Sequence, residues 1–419
     1  MWTGTTMADP ESMAAARRGK RVLLMGETVT LAHIARPVVL AQGLHRAGYT
    51  VYLAADPRYQ SLLPALPFPT YDLRSGAPDD FLRRIDMGSA LFDVDTLERY
   101  VQEDLALFRE LAPHVVIGDM RHSLAVSSRL YGIPYLNVIN ANWSPYCDSE
   151  LVLMEHPLMD LVGEPLVQTL FGLMRPLGGT LHSLPLNVVC ARHGLPMLGT
   201  DPKQVYTFGD YTLYPDTPAL IPTRKLPFNH LYIGPILWSP NVARPRWWDE
   251  VPGDRPAIYV NLGSSGNASL LEEIVRTLAE LPVTVLAATA GRCQIDNAPQ
   301  NVYVADFLPG EAAAARADLV ICNGGSANVQ QALATGTPFL GIVNNLDQWM
   351  WARIAQNAGA GLAFRAREVK AVDLREQVAR MLADDAYAEA AQRVAADFAR
   401  YNAADAVTAL VDRITLARR

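Results

Sequence analysis

Cysteine is scarce: the chain has 4 in 419 residues, at Cys147, Cys190, Cys293 and Cys322. They stand without paired spacing, which argues against a disulfide framework and a cysteine-based zinc motif and fits a reducing, cytoplasmic setting. A basic excess is also missing. With 36 Lys and Arg against 43 Asp and Glu, the net charge is −7, so no nucleic-acid partner is expected. No uninterrupted apolar run approaches the roughly 18–20 residues that a transmembrane segment needs. A secretory signal is lacking too, because Arg17-Arg18-Gly19-Lys20-Arg21 follows a small-residue run instead of preceding an apolar one. Residues 1–20 therefore read as a flexible leader. Between Gly26 and Gly43 there is no G-x-G-x-x-G fingerprint, which counts against a nicotinamide dinucleotide.

What is present is an ordinary globular composition, 50% hydrophobic and 19% charged, on a chain long enough for two domains of about 200 residues each. Short apolar runs alternate with helical spacing from the start. Arg21 to Gly26 reads as a strand, Ile34 to Ala47 as a helix with apolar residues at Ile34, Val38, Ala41 and Leu44, and Thr50 to Ala55 as the next strand. Pro113 to Asp119 is a buried strand ending in a carboxylate, and Gly132 to Ile139 another. A further strand-like stretch runs from Gln204 to Leu213. The four prolines from Trp238 to Pro256 mark a linker at 238–256. A new strand, Ala257 to Leu262, then runs into Gly263-Ser264-Ser265-Gly266.

The densest signal lies between Asp318 and Gln348. Asp318 to Cys322 is a short β-branched run, followed by Asn323-Gly324-Gly325-Ser326 and a helical segment to Ala334. Paired glycines between strand and helix let a ligand approach the helix's first amides, which suits an anion. Gly336 ends the helix, Pro338 opens another strand, and a polar loop from Asn344 to Gln348 emerges at its carboxyl end, where open α/β sheets bind ligands. A purely structural strand-loop-helix unit is the plainer alternative.

This segment resembles the nucleotide-sugar signature of family 1 glycosyltransferases of the GT-B fold. The family's His-Gly-Gly-x-Gly-Thr stands here as Asn323-Gly324-Gly325-Ser326-Ala327-Asn328, its helix Glu as Gln331, and its Gly-x-Pro and Asp-Gln as Gly336-Thr337-Pro338 and Asp347-Gln348. Asn323 and Gln331 replace charged or ionisable groups, so a charge-assisted contact of about 1.5–3 kcal/mol is absent from the pattern. Ala32-His33-Ile34-Ala35-Arg36-Pro37 resembles the loop that carries the family's catalytic histidine.

The resemblance implies an α/β protein of GT-B architecture, two Rossmann-like domains with parallel sheets facing across a cleft. The expected divisions are an acceptor domain at 21–237, a linker at 238–256, a nucleotide-sugar domain at 257–395 and a closing helix at 396–419. It further implies an inverting transfer from a UDP- or dTDP-sugar to a small, lipophilic acceptor, with no cofactor and no metal. His33 would be the base and Asp119 its orienting partner. Ser264, Ser265, Asn323, Gly324, Gly325, Ser326, Ala327 and Asn328 would meet the diphosphate, Phe307 the base, Gln331 the ribose, and Asp347 and Gln348 the sugar. A nucleotide-sugar epimerase or hydrolase, a non-catalytic binding homologue, and a general hydrophobic-ligand or membrane-associated protein using Leu151 to Val189 are the alternatives.

Four features invite a second reading. His122 competes with His33 as base. Asp93-Val94-Asp95 resembles a metal-binding Asp-x-Asp, though Asp95 or Thr96 capping the following helix is simpler. Phe307 could equally be a core residue. The apolar stretch from Leu151 to Val189 reads first as packing, then as an acceptor pocket, then as a membrane-contact surface.

Overall fold

Short apolar runs bounded by glycine, proline and asparagine become two parallel sheets in the computed structural model, which describes residues 10–148, 152, 157–369 and 373–416. The first sheet holds β1 (Arg21–Gly26), β2 (Thr50–Ala55), β3 (Thr70–Asp72), β4 (Val115–Asp119), β5 (Tyr135–Val138), β6 (Tyr211–Tyr214) and β7 (His230–Tyr232). The second holds β8 (Ala257–Asn261), β9 (Thr284–Ala288), β10 (Val302–Ala305), β11 (Leu319–Cys322), β12 (Phe339–Val343) and β13 (Gly361–Arg365). Central strands such as β4 and β11 are buried along their whole length, as parallel strands covered on both faces must be.

Strand order decides where a ligand can sit. In the first sheet it is β3-β2-β1-β4-β5-β6-β7 and in the second β10-β9-β8-β11-β12-β13. The direction of winding therefore reverses between β1 and β4 in one and between β8 and β11 in the other. Crevices open outside the carboxyl ends of strands at such reversals. Gly26 pairs with Asp119 at the end of the first reversal, and Asn261 with Cys322 at the end of the second.

The helices are α1 (Pro10–Arg17), α2 (Ala32–Arg46), α3 (Pro78–Asp86), α4 (Val94–Leu111), α5 (Leu124–Tyr131), α6 (Pro157–Val162), α7 (Glu164–Arg192) and α8 (Pro202–Tyr206) around the first sheet. Then follow α9 (Leu271–Ala279), α10 (Gly310–Arg316), α11 (Ser326–Ala334), α12 (Leu346–Asn357), α13 (Leu374–Ala383), α14 (Asp385–Phe398) and α15 (Ala403–Leu416). The last of these returns to the first sheet, where Val407, Leu410 and Val411 join Ile34, Val38 and Leu44 of α2 in one core. The fit is close: a Cβ at Gly43 would lie 2.5 Å from that of Ala404.

Several local expectations change. From Pro10 the leader is a helix, and Arg17 forks onto Asp412 of α15 at 2.8 and 2.6 Å; residues 1–9 lie outside the described residues. Residues 204–206 are helical rather than extended, because Asp201 accepts from the Lys203 amide and Pro202 sets the first turn. β13, a strand not anticipated from the sequence, completes the second sheet against β12. Asp347 and Gln348 lie in the first turn of α12, not in a loop, with Asn345 capping through the Gln348 amide at 3.1 Å. The cap of α4 is Asp93, accepting from Thr96 N at 2.8 Å, instead of Asp95 or Thr96.

Candidate functional site

At the first reversal, β1 ends in Gly26 and α2 begins close above it. A Cβ on Gly26 would stand 2.3 Å from the His33 carbonyl oxygen, so only glycine lets the helix start this near the sheet. His33 Nδ1 lies 2.7 Å from Asp119 Oδ1, and Asp119 is fully buried while His33 keeps part of its side chain open. A carboxylate at that distance requires a proton on Nδ1, which leaves Nε2 as a free acceptor. Met120 follows with φ of 58°, a left-handed conformation unusual for its type, and lines the cleft.

Arg36, one helical turn after His33, holds Asp119 beside it, with Nη2 3.1 Å from His33 Nδ1. Its Nη2 donates to Asp119 Oδ1 at 3.0 Å, and Nε lies 2.7 Å from Oδ2 in an ionic contact that lacks hydrogen-bond alignment. Behind both loops sits a second buried cation. Arg121 reaches Glu27 and Asp104, each at 3.1 Å, and stacks on Tyr100 with 3.7 Å from its guanidinium carbon to the ring centre. Glu27 follows β1 directly and Arg121 stands two residues past Asp119, so this cluster ties together the loops that present the pair.

The facing wall comes from the second reversal. Gly324 has φ of +74°, and a Cβ there would strike Val343 at 2.4 Å. Gly325 precedes α11 without any side chain capping the helix, so its first amides face the cleft uncovered. Asn323 orders the turn, since its Oδ1 accepts from Gly325 N at 3.1 Å and from Asn328 Nδ2 at 3.0 Å. Its Nδ2 donates to Ser265 Oγ at 3.1 Å. Gln348 donates to the same Oγ at 3.3 Å and accepts from Asn344 N at 2.8 Å.

Polar bonds cross between the walls. Asn140, after β5, accepts on Oδ1 from Arg36 at 2.9 Å and from the Ser326 hydroxyl at 3.1 Å. Its Nδ2 donates to Asp216 at 3.0 Å. Asp216 also accepts from Ala141 N at 2.6 Å, Gln330 at 2.9 Å and Trp351 at 3.3 Å. Burial pushes its carboxyl up to about 6, against those donors, which favour the charged form. Asp347 accepts from the Trp143 indole at 2.6 Å.

Between the walls lies a cleft of about 1410 Å3. His33, Ser264, Ser265, Phe307, Asn323, Gly325, Ser326, Ala327, Asn328, Gln331, Asp347 and Gln348 all line it. Asp119 and Gly324 are buried immediately behind its surface. Gln331 reaches the cleft, but its amide nitrogen is already engaged by Trp238 O and Ser239 Oγ, both at 3.0 Å. Phe307 is half-buried at the rim. His122 does not compete: it is half-buried and does not line the cleft, it stacks on Tyr206 at 4.7 Å, and desolvation pushes it down to about 3.

The cleft's far end is apolar, with Phe81, Leu82, Ile85, Leu91 and, from α7, Phe171 and Met174. Core packing, the first reading of the 151–189 stretch, fails for the first half of α7, where Val167 is buried but Leu166, Leu170, Leu173 and Leu177 are exposed. Residues 151 and 153–156 lie outside the described residues. Among the described residues, no group of three or more His, Cys, Asp or Glu could hold a metal ion, and no helix is long and apolar enough to cross a membrane. Arg36, Asn140 and Asp216 are residues the sequence reading missed. Arg36 alone left a signal, three positions after His33 on the same helix face.

Residues 268–412 match the family described as Erythromycin biosynthesis protein CIII-like, C-terminal domain. A PGL/p-HBAD biosynthesis glycosyltransferase of Mycobacterium tuberculosis is 45% identical over 395 residues, covering 94% of this chain and 92% of its own. A PGL/p-HBAD biosynthesis rhamnosyltransferase of Mycobacterium bovis is 46% identical over 396 residues, 94% of this chain and 88% of its own. Among solved structures, a spinosyn rhamnosyltransferase complexed with thymidine diphosphate matches with a TM-score of 0.68 at 19% identity, over 94% of this chain and 100% of that one. The same enzyme complexed with spinosyn aglycone matches at 0.67 and 21% identity, over 94% and 100%. Both share the GT-B fold.

Proposed function

The chain belongs to the PGL/p-HBAD biosynthesis glycosyltransferases, GT-B enzymes of family 1, and on that premise we propose an inverting transfer from a UDP- or dTDP-sugar to a hydroxyl of a small, lipophilic acceptor. The observation that carries the reading is the pairing of His33 with buried Asp119 on one wall, opposite the uncapped start of α11 on the other.

His33 Nε2 takes the acceptor's proton as its oxygen attacks the anomeric carbon. The bond from that carbon to the phosphate oxygen breaks, and its electron pair leaves with the nucleoside diphosphate. Asp119 holds the ring and stabilises the imidazolium formed. The α11 amides, with Asn323, Asn328 and Ser264, receive the diphosphate charge, so the reading requires no metal and no cofactor. Phe307 at the rim is assigned the base, Gln331 the ribose, and Asp347 and Gln348 the sugar hydroxyls. A thymidine diphosphate complex of a structural neighbour and the rhamnosyltransferase name of a relative support dTDP-rhamnose as the first donor to try. The apolar lining from Phe81 to Met174 supports a lipophilic acceptor.

The test is incubation with dTDP- and UDP-sugars and a panel of lipophilic alcohols and phenols, read by diphosphate release and by the product's anomeric configuration. Release that depends on acceptor and yields an inverted glycoside is expected. Sugar loss without acceptor would instead mark a hydrolase, a retained anomer would refute inversion, and donor binding without turnover would mark a non-catalytic homologue.

A further inference from the structure

Helix α7 carries two different apolar faces. Phe171, Met174 and His182 look into the cleft. Leu166, Leu170, Leu173, Leu177, Leu181 and Leu184 look out, with exposures from 47% for Leu184 to 73% for Leu173. At about 100° per residue these six leucines fall within an arc of roughly 80°. Leu161 and Val162 of the preceding helix, 77% and 44% exposed, extend the stripe. Leucine surface on the order of 500 Å2 is at the upper end of what a monomeric protein leaves uncovered.

The charge around the stripe is one-sided. Residues 165–200 contain no Asp or Glu, in a chain with 43 of them; of the two exposed arginines of α7, Arg192 falls near the edge of the leucine arc, whereas Arg175 falls on the opposite side and lines the cleft. Glu164, at the helix start, is paired with Arg365 and, at 2.8 Å, with Arg367. A leucine surface whose nearby charges are Arg192 and, at the helix start, two arginines on one carboxylate, on a molecule of net charge −7, complements an anionic, apolar partner. A second copy of the helix fits less well. A coiled-coil seam needs an unbroken helix with charged flanking positions, whereas α7 contains Pro176 and Pro185, three glycines, and almost no charge.

We propose that the outer face of α7 docks the protein on an anionic lipid bilayer surface, lying in the interface without crossing it. Met174, 55% exposed and also lining the cleft, joins the two faces, so the docked helix would set the cleft's apolar end beside the bilayer. This last consequence rests on the lipophilic-acceptor reading; the docking does not.

Flotation of the full chain with vesicles tests it, using phosphatidylcholine alone or mixed with phosphatidylglycerol. The native chain is expected to float with the anionic vesicles at least tenfold more than a variant combining Leu170→Gln, Leu173→Gln, Leu177→Gln and Leu181→Gln. None of those four side chains lines the cleft, and the single Leu173→Gln variant should lose an intermediate share. Equal flotation of native and fourfold variant, or no flotation of the native chain, would overturn the proposal. So would light scattering that shows a native dimer split by the substitutions. Thermal shift by thymidine or uridine diphosphate, expected to be equal in both proteins, reports on the transfer site separately. Its absence would sink the transfer reading and leave the lipid surface standing.

Discussion

On the His33 wall of the cleft, order comes from buried charge: Asp119 shared by His33 and Arg36, and Arg121 between Glu27 and Asp104. On the Ser326 wall it comes from neutral groups, where Asn323, Asn328, Ser265 and Gln348 bond to one another and to backbone amides. The contrast follows from the work each wall is given. A general base must keep one tautomer while a proton moves, and a fixed counter-charge holds it there. A diphosphate seat must leave donors open for a ligand that brings its own negative charge, so a built-in carboxylate would repel it. Damage to the first wall should therefore reach kcat and stability, and damage to the second should reach donor KM.

The largest effect is expected from His33→Ala. Loss of the general base lowers kcat by about 10³, within the usual range for such a group, while the thermal shift by nucleoside diphosphate stays as in the native protein. Equal loss of both would erase the distinction between the walls. Next comes Arg36→Met, which leaves Asp119 buried with His33 alone and costs about 3 kcal/mol of stability. With one of its two holders gone, Asp119 no longer fixes the imidazole ring in one orientation, so kcat falls together with the denaturation midpoint. A lower midpoint with kcat unchanged would leave Arg36 a purely structural role.

How far each wall was legible in sequence follows from the range of its contacts. The turn at the heart of the Ser326 wall is local: Asn323 bonds residues two and five positions away, so strand, glycine pair and helix start announce it together, and Ser265 joins it from 58 and 83 residues off through Asn323 and Gln348. The His33 wall is not local. Arg36 meets Asp119 across 83 residues and Asn140 across 104, and no spacing rule connects Asn140 to Asp216 or to Ser326. The alternation of strands and helices was readable for the same local reason, while β13 was not. Gly361 to Arg365 is a five-residue edge strand with alternating burial, and Gly361 is required because a Cβ there would meet Phe339 O at 2.2 Å. Helix α7 misled because leucine at helical spacing describes a core helix and an exposed one equally well.

A third break separates the two histidines of the first wall. Burial pushes His122 down to about 3 from an ordinary 6.5, so between those values the unfolded chain binds a proton that the folded chain refuses. Its contribution to stability is therefore lost as pH falls below 6.5, by about 2 kcal/mol at pH 5. His122→Phe should remove that slope, measured as the difference in denaturation midpoint between pH 7 and pH 5, while leaving the pH profile of transfer in place. A change in the transfer profile instead would return His122 to the base role.

The smallest effect is expected on the neutral wall. Asn323→Ala removes three hydrogen bonds at once, but two of their partners, the Ser265 hydroxyl and the Asn328 amide, stand beside the cleft where water or donor can replace the lost contact. A net loss of about 1 kcal/mol corresponds to roughly a fivefold rise in donor KM. With the His33 wall untouched, kcat should hold nearly constant. A fall in kcat as large as that of Arg36→Met would mean that the turn after β11 positions the reacting atoms as well as the diphosphate, and that the two walls act through the Ser326–Asn140–Arg36 bonds as one unit.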